Sequence, residues 1–181
     1  RVSAKGSKHS AISIESKATA RLRDCEVRGA GEAGVQVYGA TATLTGGQIA
    51  GTGMSALLAR EKARVHVTGA RFERAGQSLV AVRAGSEVNL SDCTLRRAKL
   101  AGLDVGESRS RLVARRCRVE DVQGSGVLVA AGNASLQDCV IAGARYDAIT
   151  VREGGRVSVL GGELSGARGA GVSVETEARA N

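Results

Sequence analysis

The sequence predicts an all-β fold, a single-stranded parallel β-helix solenoid of about seven to eight rungs of 22–24 residues each. Three observations carry this expectation. Apolar residues alternate with polar ones in short runs, as in Val35 with Val37, Val88 with Leu90 and Cys93 with Leu95, and a period of two belongs to strands. The same pattern returns every 22–24 residues along nearly the whole chain, a period that signals a solenoid. Proline is absent, which fits ladders in which every backbone donor is used.

Four columns define the rung. A first strand begins at Ile12, Val35, Leu57, Val80, Leu103, Val127, Ile149 and Val172. A second begins at Ala20, Ala42, Val65, Val88, Leu112, Ala134 and Val157. A third centres on Val27, Ile49, Phe72, Leu95, Val119, Ile141 and Leu164, followed by a small residue such as Ala30, Thr52, Ala75 or Ala98. Equivalent strands then pair in parallel about 4.8 Å apart, so eight rungs make a rod of roughly 38 Å. One rung cannot bury its own apolar face, and stacking creates the core. Gly34, Gly102, Gly126 and Gly171 precede first strands, where a tight corner would crowd a side chain. The core is lean, with one Phe, Phe72, and no Trp. Leucine-rich repeats have a similar length, but their leucine-heavy consensus is missing.

The rungs GVQVYGATATLTGGQI from Gly34, GLDVGESRSRLVARRCRV from Gly102 and GVLVAAGNASLQDCVI from Gly126 resemble those of the right-handed parallel β-helix repeat proteins, whose superfamily includes the pectate lyases. The resemblance covers roughly residues 12–174 and implies a right-handed coil. It implies no single activity, because the superfamily spans lyases, hydrolases, epimerases, phage tailspikes and non-catalytic modules. The polygalacturonase-like signatures NTD, Asp-Asp, GHG and RIK are missing, and the Asp-Pro-His-Asp motif of alginate epimerases needs a proline the chain lacks.

One elongated domain is expected over 12–174, with a basic lead-in at 1–11 and a tail at 175–181 that continues into a missing region or cap. No capping helix is legible, and a solenoid ordinarily needs caps, so a segment of a larger protein is expected. There is no signal peptide or membrane-spanning run. That fits a cytoplasmic protein or an exported one whose leader has been removed.

Cys25, Cys93, Cys117 and Cys139 share one register position and read as buried apolar fillers. Parallel neighbours are poorly placed for a disulfide, and no CxxC supports a metal. No cofactor motif is present. Asp24, Asp92 and Asp138 share a turn position and read as turn formers rather than metal ligands. Glu61, Glu107 and Glu153 share a column at another turn, and neither His9 nor His66 has a catalytic partner in register.

The catalytic candidates are Asp104 with Arg83 and Arg60. Asp104 occupies the outward position of its first strand, beside an outward arginine column, where an acid and a cation suit an acidic sugar. A surface ion pair is the plainer reading of the same residues. The formal charge is +8, concentrated on two rungs, and Arg96, Arg97, Arg115 and Arg118 form the candidate surface for an anionic ligand. Nucleic acid is disfavoured because only Tyr38 and Tyr146 offer stacking platforms of the required kind. The leading expectation is a non-catalytic scaffold or recognition module for a protein or surface glycan. Leu58 and Leu128 face outward and allow a protein partner or oligomeric contact along a flat face. Alternatives are a lyase, hydrolase or epimerase acting on an acidic polysaccharide, and a binder of anionic polymers through the basic patch.

Overall fold

The computed structural model describes residues 3–175 and 179–180, and every regular element among them is a strand. The strands lie on three faces. The first face stacks Ile12–Glu15, Val35–Tyr38, Leu57–Arg60, Val80–Val82, Leu103–Gly106, Val127–Ala130, Ile149–Arg152 and Val172–Val174 into an eight-stranded parallel sheet. The predicted column from Ile12 to Val172 pairs residue for residue along it. The second and third faces follow the other two columns in the same way. Asn133–Ala142 and Arg156–Ser165 run through the corner between these faces, so the two count as one 14-stranded sheet.

The ladders reach past the segment 12–174. Ser3–Lys5 pairs with Glu26–Arg28 on the third face, where Ala4 packs against the core, and Arg179–Ala180 pairs with Arg156–Val157 on the second. Part of the basic lead-in is therefore a strand.

Left-handed residues bend the rung at three places. One column holds Gly39, Glu61, Ala84, Glu107, Ala131 and Glu153. A second holds Asp24, Gly46, Gly69, Asp92, Arg116, Asp138 and Gly161, and a third Gly6, Gly29, Gly51, Arg74, Arg97, Asp121, Gly143 and Gly166. All these residues have positive φ, from 47° at Asp24 to 72° at Gly29. The aspartates are turn residues, as the sequence implies, because Asp tolerates this backbone region better than most side chains.

The core is continuous and hydrophobic, with Phe72, Leu57, Leu90, Leu112 and Ile149 fully buried. Three corner glycines accompany a β-branched third-face residue of the same rung, although the first rung combines Ala11 with Val27. Gly34, Gly102 and Gly126 lie against the β-branched Ile49, Val119 and Ile141. Rungs whose third-face residue is unbranched at Cβ, namely Phe72, Leu95 and Leu164, carry Ala56, Leu79 and Ala148 at the glycine position. A methyl on Gly126 would overlap Ile141 Cγ2 and lie 2.6 Å from the Ala148 carbonyl oxygen. Gly126→Ala should therefore destabilise the protein by about 1–3 kcal/mol, as overpacking does. Urea denaturation checks this, and an unchanged midpoint would show that the corner has slack.

Candidate functional site

The outward residues of the first face build the principal concavity. Along its middle column stand Gln36, Leu58, Ala81, Asp104, Leu128 and Thr150, and along the next stand Tyr38, Arg60, Arg83, Gly106, Ala130 and Arg152. Turns entering the face from the third face raise one wall with Leu100 and Tyr146, and the left-handed corner raises the other with Glu107 and Glu153. Two cavities result, of about 730 Å³ and 260 Å³. Both are lined by Arg83, Leu100, Asp104 and Glu107, so together they form a single groove along the rod. Leu58 and Leu128 are half-buried and belong to this groove rather than to a flat face.

Asp104 points outward, yet it is only 7% exposed. The surface ion pair of the sequence reading is thus a mostly buried one. Arg83 Nη2 donates to Asp104 Oδ2 at 2.5 Å, and Ser78 Oγ donates to the same oxygen at 3.0 Å. Arg83 Nη1 donates to the carbonyls of Val82 and Asp104 at 3.0 and 3.1 Å. The guanidinium lies close over Gly106, where an added Cβ would come within 3.1 Å of Arg83 Cζ. Glycine at that register position makes the fold-back of Arg83 possible. Asp104 Oδ1 accepts no hydrogen bond among the described residues and is the free edge of the pair. Arg60 lines the smaller cavity beside the pair without contacting Asp104.

The other groove acids are tied as well. Glu107 Oε2 accepts the Ala84 amide at 3.0 Å, and Glu153 Oε1 lies 3.4 Å from Arg152 Nε. Deeper along the face, Thr150 Oγ1 donates to Asp147 Oδ2 at 3.1 Å and shares a hydrogen with Ser125 Oγ at 2.8 Å. Sequence reasoning passed over Ser78 and this Ser125–Thr150–Asp147 chain, and named Tyr146 only as one of two stacking platforms. Ser55, Ser78 and Ser125 do recur just before the corner, a legible column of hydroxyls. The position of Tyr146, 63% exposed beside the groove, had no such signal.

The four arginines of the predicted anionic-ligand surface do not converge. Arg96 pairs with Glu120 at 3.0 Å and approaches Asp121 at 3.5 Å. Arg118 shares Glu120 at 2.7 Å, so both are neutralised on the third face. Arg115 sits on the second face and donates to Gln137 Oε1 at 3.3 Å. Arg97 stands apart on the third-face bend. Arg116, from the same basic stretch, makes two bonds to Asp92, at 2.8 and 2.9 Å. That bond holds the Asp92 carboxyl below its ordinary range.

The described residues hold no cluster of three or more metal-ligating side chains. The four thiols are free and buried, with Cys93, Cys117 and Cys139 stacked on consecutive rungs. Interaction with Cys117 and then burial push Cys139 up. Cys117 is drawn down by Cys139 but driven up further by Cys93 and burial, to about 11. Cys93, favoured by Cys117, moves down.

A family model described as a right handed beta helix region matches residues 10–164. No curated protein matches. Among solved structures, the chain is similar to a trypsin-treated variant of QnrB1, a plasmid-mediated fluoroquinolone resistance protein. The identity is 11% and the TM-score 0.26, over 97% of this chain and 92% of that one, which is too distant to carry an argument.

Two predictions follow from the geometry of the groove and the thiol column. Arg83→Ala leaves Asp104 with Ser78 alone and should cost about 2–3 kcal/mol, whereas Arg83→Met with Asp104→Leu should come close to neutral. Chemical denaturation of both variants checks this, and a single substitution as mild as the double would show that the pair contributes little. Raising the folded-state pKa of Cys117 from 9.0 to about 11 means that the unfolded chain releases that proton first. Its contribution to stability is therefore intact below pH 9 and is lost as the pH rises toward 11. Cys117→Ala should flatten that part of the alkaline decline in urea titrations at stepped pH.

Proposed function

From the premise that the chain belongs to the right-handed β-helix family, we propose that it is a non-catalytic recognition module that binds an acidic polysaccharide along the groove of its first face. The observation that carries this reading is Tyr146, largely exposed at the wall of an open groove that also presents Arg145 and Arg152. An aromatic ring offers a flat apolar platform with a polar tip, suited to the C–H face of a sugar ring. Arginine suits a planar sugar carboxylate through two parallel hydrogen bonds. The free Oδ1 of Asp104 can accept from a sugar hydroxyl, and the apolar floor at Leu128 gives the chain a dry surface. Concave, largely apolar sites with a few placed polar groups are the usual form of ligand sites.

Binding is favoured over turnover because each groove acid already has a partner. Asp104 is held by Arg83 and Ser78, Glu107 by the Ala84 amide, and Glu153 lies beside Arg152. Hydrolysis of a glycoside ordinarily needs two carboxyl groups facing one bond, one of them able to donate a proton. Three acids committed to neighbouring cations and amides serve orientation better than proton transfer.

Affinity electrophoresis and calorimetry against polygalacturonate, alginate and a neutral glucan test the proposal, with reducing ends monitored in parallel. Retention on the acidic polymers, weakened about fivefold in Tyr146→Ala, is expected, since such an aromatic contact is worth on the order of 1 kcal/mol. Equal retention of wild type and variant, or none by either, removes the reading. Release of sugar ends that stops in Asp104→Asn would replace it with an enzyme.

A further inference from the structure

A second depression lies on the third-face bend, across the wall from the groove. Its volume is about 450 Å³, and its lining includes Arg74, Arg97 and Lys99. Among the described residues none of these three cations forms an ion pair. Asp121, the ladder neighbour of Arg97, also lines the depression but directs Oδ2 toward Arg96 at 3.5 Å.

The backbone beneath the arginines is costly. Arg74 and Arg97 have φ of 55° and 64° in a column where Gly6, Gly29, Gly51, Gly143 and Gly166 occupy the other rungs apart from Asp121. A side chain in this region is disfavoured relative to glycine. The left-handed residue also breaks strand alternation. Phe72 and Ala75 point inward while Glu73 and Arg74 both lie on the outer side, and Leu95 to Ala98 repeat the pattern. Since Glu73 pairs with Arg96 and Ala75 with Ala98, Arg74 and Arg97 face each other across one ladder step. Like charges at that separation repel. Two adjacent rungs therefore carry strain and repulsion that the glycine used elsewhere in the column would avoid.

We propose that Arg74, Arg97 and Lys99 form an oxyanion site that takes a sulfate or phosphate group. An anion between the two guanidinium groups turns their repulsion into attraction, and a tetrahedral group offers oxygens to the three donors at once. The site shares Lys99 and Gln123 with the groove lining but uses neither Tyr146 nor Asp104, so a Tyr146 variant tells the two readings apart.

The test titrates the protein with sodium sulfate and, separately, sodium phosphate at constant ionic strength, following amide shifts of residues 73–76 and 97–99 by NMR. Arg74→Gly/Arg97→Gly is the comparison variant, and it keeps the residue type that the same column uses in other rungs. A saturable shift with sulfate assigns a sulfate-type group, and one with phosphate assigns a phosphate-type group. In the variant, affinity should fall at least about tenfold, as expected for losing charge-assisted bonds. Its melting temperature without anion should equal or exceed that of the wild type. Tyr146→Ala should bind the anion unchanged. No saturable shift in the wild type, or the same affinity in the double variant, overturns the proposal. So does a melting temperature for the variant well below that of the wild type, because the arginines would then be structural.

Discussion

The hydrogen-bonded ladder from rung to rung is the constraint on which the rest of the structure depends. Each backbone donor in a strand reaches the rung above or below, so a residue's environment is set by its counterparts in neighbouring rungs rather than by its chain neighbours. Registers hold from Ile12 to Val172 on the first face with no slip, although rung length varies between 22 and 24 residues. Left-handed corners absorb the changes of direction, and the straight segments between them stay in pairing geometry. With the ladder fixed, a narrow interior follows, and the core is filled by Val, Leu, Ile, Ala, Cys and a single Phe.

Most of this was legible in the sequence because columns are a one-dimensional signal. Period-two alternation gave the strands, and the repeat gave their stacking partners. Register aligns Glu73, Arg96 and Glu120 in one column, and the structure pairs Arg96 with Glu120 while Glu73 accepts from Gln48 Nε2 at 2.9 Å. What register does not convey is where a flexible side chain lies. Arg83 and Arg60 look alike in their column, yet only Arg83 folds over a glycine on the next rung to reach Asp104. Burial of Asp104 depends on that fold-back and on Ser78 from the rung below, contacts beyond the reach of a column count. Tyr146 lies in a turn, where periodicity gives no orientation at all.

Charge on this rod is organised by commitment rather than by density. Arg83, Arg96, Arg116 and Arg118 each have an acidic partner within 3.0 Å, and their rungs account for much of the apparent basic patch. The exposed pairs among these, those of Arg96, Arg116 and Arg118, contribute little to stability, but they set which cations remain available to a partner. Cations without an ion pair among the described residues include Arg60 and Arg145 by the groove and Arg74, Arg97 and Lys99 around the neighbouring depression. The net charge of +8 attracts anions in general.

The pairing of a corner glycine with a β-branched third-face residue bears on how such a rod can grow by duplication. Gly126 and Ile141 belong to one rung, as do Gly34 with Ile49 and Gly102 with Val119. A copied segment that starts at the corner carries both members together and arrives already matched. A segment that starts between the second and third faces separates them, and can seat a branched side chain against Ala or Leu from an unrelated rung. The first rung, which combines Ala11 with Val27, shows that the mismatch can be accommodated, so a cut at the glycine corner is favoured rather than required.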